Sequence, residues 1–452
     1  MFMVRVVNMQ VEKFEQCGIV GVVSKTGRNV APLIYRGLLA LQHRGQDAAG
    51  MSVFDGNKII TKKSAGLVSS VFTDQDLLME GHVGIGHNRY RTSGLSRPQD
   101  IQPFCCDLIG IAHNGQLTNY DDLKSEFFPS TSLTSDVDSE LFLHALKQQL
   151  SDGIEKSVRF ILEKFDGAYS VVALIKDKLV VFRDRFGLRP LVYGENSEFI
   201  GFASESCALE SMDLIFTGDV SEGELIVADK ENFQRKWLRI PDPHHCMFEY
   251  VYFSRSDSKI NMVDVFEARR RMGRLLADES PIDADVVVGI PDTARIAAHA
   301  FAERLGISCE EGLIKNRFLL RTFILSEQKK REEAVRLKVS PVSSVLRGRR
   351  VVLIDDSIVR GTTTSAIINI VREAGAREIH VRVTCPPITN PCYSGIDMST
   401  KEELIASTKS VGEIQIHLGA DSLAYLSLSG LKRAIGVPLC VGCLNGEYPY
   451  PL

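Results

Sequence analysis

The apolar positions of this chain fall into two regimes that meet near residue 240. Before it, strand-length runs dominate: Cys17-Gly-Ile-Val-Gly-Val-Val23, Gly167-Ala-Tyr-Ser-Val-Val-Ala-Leu-Ile175 and Lys178-Leu-Val-Val-Phe182. A few helices interrupt them. Ser135-x-x-Asp138 reads as a capping-box variant. Leu141, Phe142, Ala145, Leu146 and Leu150 follow at helical spacing, so a helix is expected from near Ser135. Pro241-Asp-Pro-His-His-Cys246 reads as a connector. After about residue 283 the pattern becomes strand, helix, strand. Strands are expected over 286–290, 350–354 and 378–384, and helices over 294–305 and 362–374. That alternation predicts a parallel sheet with right-handed crossovers, whose ligands bind beyond the carboxyl ends of the strands.

Composition narrows the setting. With 53 Lys+Arg against 57 Asp+Glu, the net charge of −4 argues against a general nucleic-acid binder. No uncharged apolar run approaches the ~18–20 residues of a membrane span, and residues 1–16 lack the apolar core of a secretory signal. Ten cysteines in 452 residues are too few for a disulfide scaffold, so a reducing cytoplasm is expected.

The first chemical signal is Val351-Val-Leu-Ile-Asp-Asp-Ser-Ile-Val-Arg-Gly-Thr-Thr-Thr364. An apolar strand ends in two acids, and a hydroxyl-rich loop leads into a helix. The N–H groups and dipole of that helix start suit an anion, and Gly361 permits close backbone approach. No Gly-Lys-Ser/Thr closes the loop, so it is not a Walker A motif. Asp355 and Asp356 suit ribose hydroxyls or a Mg²⁺ shared with phosphates. The segment resembles the 5-phosphoribosyl 1-diphosphate (PRPP) signature of type I phosphoribosyltransferases. That resemblance implies PRPP binding by Asp355, Asp356, Ser357, Arg360, Gly361, Thr362, Thr363 and Lys315. It also implies a diphosphate loop at Gly289-Ile-Pro-Asp-Thr293 and one Mg²⁺ per subunit on Thr293, Asp355 and Asp356. The basic stretch from Ile314-Lys-Asn-Arg317 through Lys329, Lys330, Arg331, Arg336 and Lys338 reads as a cationic lid.

The second signal is Cys17 together with Leu41-Gln-His-Arg-Gly-Gln-Asp-Ala-Ala-Gly50, Gly86-His-Asn-Arg-Tyr-Arg-Thr-Ser-Gly94 and Ala112-His-Asn-Gly-Gln-Leu-Thr-Asn119. These resemble the class II glutamine amidotransferase domain, an Ntn hydrolase, over residues 17 to about 230. The resemblance implies an αββα sandwich. Cys17 is the implied nucleophile, and Asn114 with the Gly115 N–H forms the oxyanion hole. Arg89 would pair with the glutamine carboxylate and Asp136 with its ammonium, and Arg44 and Gly45 flank the nucleophile. A thiol with a free pKa of ~8.5 needs a base, which in that family is its own α-amine. Residues 1–16 stand in front of it, so they are expected to be a propeptide cleaved after Gln16.

Side by side, residues 17–240 and 241–452 resemble the glutamine PRPP amidotransferases. The implied fold class is α+β plus α/β: the sandwich, then a doubly wound parallel sheet. The implied substrates are glutamine and PRPP. Purine nucleotide feedback inhibitors and a homo-oligomer, dimer or tetramer, are implied as well, with no nucleic-acid or membrane partner. In some branches Cys246, Cys392, Cys440 and Cys443 would ligate one [4Fe–4S] cluster per subunit. By ligand type alone, structural Zn²⁺ fits equally. Cys105, Cys106, Cys207, Cys309 and Cys385 read as buried or neutral. The chain departs from the family pattern at Arg91, Thr293, Arg295 and Leu319-Leu320. Competing readings are a paralogue with another acceptor, a PRPP-sensing regulator, and a sugar-phosphate amidotransferase. The last has no use for the Asp355–Thr364 loop.

Overall fold

The computed structural model describes residues 17–90, 97–135, 137–316, 337–398 and 400–450. Up to Trp237 the strands form two antiparallel sheets, of seven and six strands. Gly18–Ser24 lies centrally in the first, between Val83–Arg89 and Phe199–Ala203. Gly167–Ile175 lies centrally in the second, between Ile109–Leu117 and Lys178–Arg183.

Side-chain alternation builds the layers. Ile19 and Val23 point between the sheets, where they meet Val172, Leu174 and Val181. Val20 and Val22 point the other way, toward the helix Ala31–Ala40. On the second sheet, Val171 and Ala173 face the helices Ser139–Gln149 and Ile154–Lys164. The order is therefore helix, sheet, sheet, helix. Gly21 is required where the sheets approach, because a Cβ there would lie 2.4 Å from Val172 Cγ1.

In the second half, Val286–Gly289, Arg350–Asp355, Glu378–Val383 and Ser422–Tyr425 form a parallel sheet in that order. Val287 and Val352 face one core and Val288 and Leu353 the other, so helices cover both faces. Cys309 bridges Val287 on the outer side, while Arg350–Asp355 lies on the inner side. The chain thus leaves Val286–Gly289 toward one side and returns on the other, so the strand order switches there and a crevice opens at the carboxyl ends.

The two halves share one apolar core. Val20, Ile34 and Leu209 from the sandwich belong to the same cluster as Phe248, Met272, Phe301 and Leu431. The final strand, Leu439–Cys440, pairs in parallel with His245–Cys246.

One expected helix start moves. The helix begins at Ser139 rather than near Ser135, and neither supposed capping residue caps it. The Ser135 hydroxyl donates to Asp100 Oδ1 (2.8 Å), and Asp138 accepts the Leu117 N–H (2.8 Å). Long-range partners took both groups.

Candidate functional site

Cys17 immediately precedes the central strand Gly18–Ser24, at the edge where Gly18 faces Asn88 and Arg89 follows. Its Sγ lies 3.9 Å from the Tyr90 carbonyl. Burial pushes the thiol's pKa up, and the charges of Arg89 and Arg44 oppose that shift. Among the described residues, the charge of Asp138 also reaches this thiol and raises its pKa further. Asp136 lies outside the described residues, as do Arg91 and residues 1–16. Asp138 was first read as a helix cap, so its place beside the nucleophile escaped the sequence reading.

Asn114 and Gly115 lie on the strand Ile109–Leu117. Asn114 is buried, and its Nδ2 has no hydrogen-bond partner among the described residues. An unmet buried donor fits a site completed by a developing oxyanion. Gly115 has φ +148°, and a Cβ there would strike the Ala168 carbonyl at 1.9 Å. Arg89 donates to the Asp100 carbonyl.

The Arg44 guanidinium is fully buried, donating to Glu205 Oε1 (2.5 Å) and to Glu249 Oε1 (2.7 Å) and Oε2 (3.0 Å). Its Nε donates to the Cys17 carbonyl at 3.2 Å. Burial alone would lower its pKa, but Glu249 and Glu205 outweigh that and raise it. The side chain holds the nucleophile's backbone. Gly45 packs against Arg89, where a Cβ would lie 2.6 Å from the carbonyl carbon.

At the carboxyl ends of the parallel strands lies a cavity of about 670 Å³. Asp292, Thr293, Lys315, Asp355, Asp356, Ser357 and Thr363 line it. Thr364 donates to Asp355 Oδ2 (3.0 Å), Ser357 to Asp356 Oδ1 (2.7 Å), and Thr293 to the other Asp356 oxygen. Burial raises the Asp356 pKa, against the hydrogen bonds of Thr293 and Ser357 and the charge of Arg269. Lys315 pairs with Asp292 at 2.6 Å. Gly361, at φ +78°, turns the loop into the helix Thr362–Glu373, and Arg360 pairs with Glu403 at 3.2 Å. Arg295 pairs outward with Glu311 at 2.9 Å. Residues 317–336, including Arg317, Leu319, Leu320, Lys329, Lys330, Arg331 and Arg336, lie outside the described residues.

The wall also contains residues the sequence did not flag: His43, Gln46, Arg269 and the turn after the π-helical segment Glu249–Phe253. The first two belong to the loop that carries Arg44, so the two halves build one cavity.

The comparisons agree along the whole chain. Residues 87–211 match the glutamine amidotransferase domain and residues 265–415 the phosphoribosyl transferase domain. The amidophosphoribosyltransferase of Methanocaldococcus jannaschii is 47% identical, over 96% of this chain and 97% of that protein. That of Pyrococcus horikoshii is 48% identical, over 96% and 97%. The chain belongs to the amidophosphoribosyltransferase family. The glutamine PRPP amidotransferase of B. subtilis, solved with ADP and GMP, superposes with a TM-score of 0.90 at 39% identity, over 96% and 98% of the two chains. The enzyme transfers ammonia from glutamine to PRPP, the first step of purine biosynthesis.

A third cluster lies behind both sites. Cys246 and Cys440 are register partners, and the Ser394 N–H points at Cys392 Sγ (3.4 Å). Burial raises the Cys443 pKa above all, and the charges of Cys392, Cys440, Cys385 and Cys246 raise it further. All ten cysteines are free. Among the described residues, no three His, Cys, Asp or Glu side chains close around a point that a single metal ion would occupy. Of the remaining cysteines, Cys207 and Cys385 are buried, whereas Cys105 is exposed.

Proposed function

We propose that Cys17 hydrolyses glutamine after cleavage behind Gln16 frees its α-amine. The amine accepts the thiol proton, and the sulfur attacks the side-chain amide carbon. The C–N bond breaks to release ammonia, and water then cleaves the thioester to glutamate. Asn114 Nδ2 and the Gly115 N–H stabilise the tetrahedral oxyanion. Arg89 pairs with the glutamine carboxylate. Asp136 pairs with its ammonium, as the resemblance implies, and Asp138, whose charge reaches the thiol and which Leu117 fixes, is a second candidate. PRPP occupies the cavity, with Asp355 and Asp356 along its ribose and the Ser357–Thr363 loop on its 5-phosphate. Ammonia attacks C1 as diphosphate leaves, giving 5-phosphoribosylamine. The boundary between the halves is placed near residue 240.

Two groups are proposed as cofactors. Asp355, Asp356 and the Thr293 hydroxyl would hold Mg²⁺. A buried carboxylate whose pKa burial raises favours a cation beside it, and the metal would neutralise the departing diphosphate. Cys246, Cys392, Cys440 and Cys443 would hold a [4Fe–4S] cluster. A single Zn²⁺ would draw four sulfurs to within about 4 Å of one another, as its ~2.3 Å bonds require. The cluster is proposed from the family resemblance of the four cysteines, and metal analysis separates it from zinc.

Feedback by purine nucleotides is proposed from the B. subtilis relative, which was solved with ADP and GMP. A cytoplasmic dimer or tetramer completes the proposal.

The observation that carries this reading is the cavity to which the loop with His43 and Gln46 and the Asp355–Thr364 loop both contribute. Intact mass, iron and sulfide are measured on anaerobically purified enzyme, followed by glutamine- and PRPP-dependent diphosphate release. A mass starting at Cys17 with four iron and four sulfide per chain is expected. Glutamine hydrolysis by a chain that retains residues 1–16 would overturn the maturation step.

A further inference from the structure

His43, Arg255, Arg269 and Lys315 are the basic side chains on the described wall of the cavity. Three of them meet a carboxylate. His43 lies 2.8 Å from Glu205, Lys315 lies 2.6 Å from Asp292, and Arg255 Nε donates to Asp257 at 2.9 Å. Arg269 is 3% exposed and has no carboxylate at ion-pair distance among the described residues.

Backbone carbonyls hold it instead. Arg269 stands on the helix Val265–Glu279, on the buried face with Val265, Ala268 and Met272. Its Nε donates to the Tyr250 carbonyl (2.9 Å), and Nη2 donates to those of Tyr252 (3.1 Å) and Ser254 (2.8 Å). These carbonyls belong to the π-helical segment Glu249–Phe253 and the residue after it, where a helix end leaves acceptors unmet. Nη1 donates to none of the described residues. The guanidinium is thus fixed at two nitrogens and keeps the third for the cavity it lines.

Burial lowers the Arg269 pKa to about 10, against the opposing charge of Asp356, so the group stays cationic at neutral pH. A buried cation without a carboxylate of its own is costly unless another anion meets it. PRPP brings anions at two ends. The Ser357–Thr363 loop takes the 5-phosphate in the reading above, which leaves the diphosphate. Guanidinium N–H groups suit phosphoryl oxygens in charge and geometry.

We propose that Arg269 is a further binding residue of the transfer reaction, whose Nη1 donates to a diphosphate oxygen of PRPP. The inference rests on the cavity being the PRPP site. When the C1–O bond breaks, its electron pair leaves with the diphosphate, which gains negative charge. A donor already locked by three carbonyls meets that charge without reorganising.

Binding is measured by calorimetry on the purified enzyme with Mg²⁺ present. Inorganic diphosphate is titrated after ribose 5-phosphate has saturated the Ser357–Thr363 loop. Ribose 5-phosphate titrated alone is the control. In Arg269→Met, diphosphate should bind at least about tenfold more weakly, the worth of one charge-assisted hydrogen bond, while ribose 5-phosphate stays within about twofold. Arg269→Lys keeps the charge but loses the fork, so its diphosphate affinity should fall between the two. It carries the test alone if Arg269→Met does not fold.

Equal weakening of both ligands would make Arg269 merely structural, and unchanged diphosphate binding would remove the contact. Either result overturns the proposal. A parent enzyme that binds neither ligand would overturn the reading of the cavity itself, and the proposal with it.

Discussion

Replacing Glu249 with alanine tests whether the buried charges behind the nucleophile form one compensated unit. Two guanidiniums, Arg44 and Arg189, face two carboxylates, Glu205 and Glu249, and all four side chains are 0–2% exposed. Glu249→Ala leaves one positive charge unmatched. Arg44 loses bonds of 2.7 and 3.0 Å, and Arg189 loses a carboxylate 3.9 Å away. At that separation an effective dielectric of about 20 gives an attraction of about 4 kcal/mol. Breaking one side of a buried pair costs about 3–5 kcal/mol in general, and the two figures agree. Arg189→Met combined with Glu249→Ala restores neutrality, leaving Arg44 against Glu205. The double variant should therefore be more stable than the sum of the single losses by about 1–3 kcal/mol. Urea unfolding of the four proteins, compared at constant slope, measures this. Losses that add within about 0.5 kcal/mol would refute the idea of a shared charge balance.

Other outcomes follow from single sites. Asn114→Ala should lower glutamine-dependent turnover by about 10²–10³-fold and leave ammonia-dependent transfer unchanged, as expected for one lost oxyanion donor. Gly21→Ala places a Cβ 2.4 Å from Val172 Cγ1 and should cost about 1–3 kcal/mol in unfolding experiments, with Val172→Ala recovering part. His245 is buried, and burial lowers its pKa to about 4, below its unfolded value near 6.5. Its neutral form therefore favours the fold above pH 6.5, and that contribution is lost as pH falls toward 4. His245→Gln should flatten the acid side of a stability–pH profile. Cys440→Ser should abolish bound iron, read by absorbance and metal analysis.

Legibility in the sequence followed locality. The strands around Gly18–Ser24 and Arg350–Asp355, and the loop from Asp355 to Thr364, were readable because short apolar runs and adjacent polar residues encode them. Asp138 was read as a helix cap because Ser135-x-x-Asp138 has the local spacing of one. Its actual partner, the Leu117 N–H, comes from another strand. Arg44 was legible only as flanking the nucleophile, because its loop is polar and glycine-containing. Its carboxylates lie 161 and 205 residues away in sequence, and no local pattern announces them. That Cys246 and Cys440 are neighbours was not legible, because only the parallel pairing of His245–Cys246 with Leu439–Cys440 brings residues so far apart together.

The shared core has a consequence for how the chain is made. The sandwich leaves the ribosome with Ile34 and Leu209 already in place, yet their cluster also needs Phe301 and Leu431. The strand that receives Leu439–Cys440 is synthesised about 200 residues before its partner. At ~5–20 residues per second, that leaves roughly 10–40 s in which one face of the nascent sandwich stays bare. During synthesis that face is a target for chaperones. A chain truncated before Leu431 would carry the same exposed surface permanently.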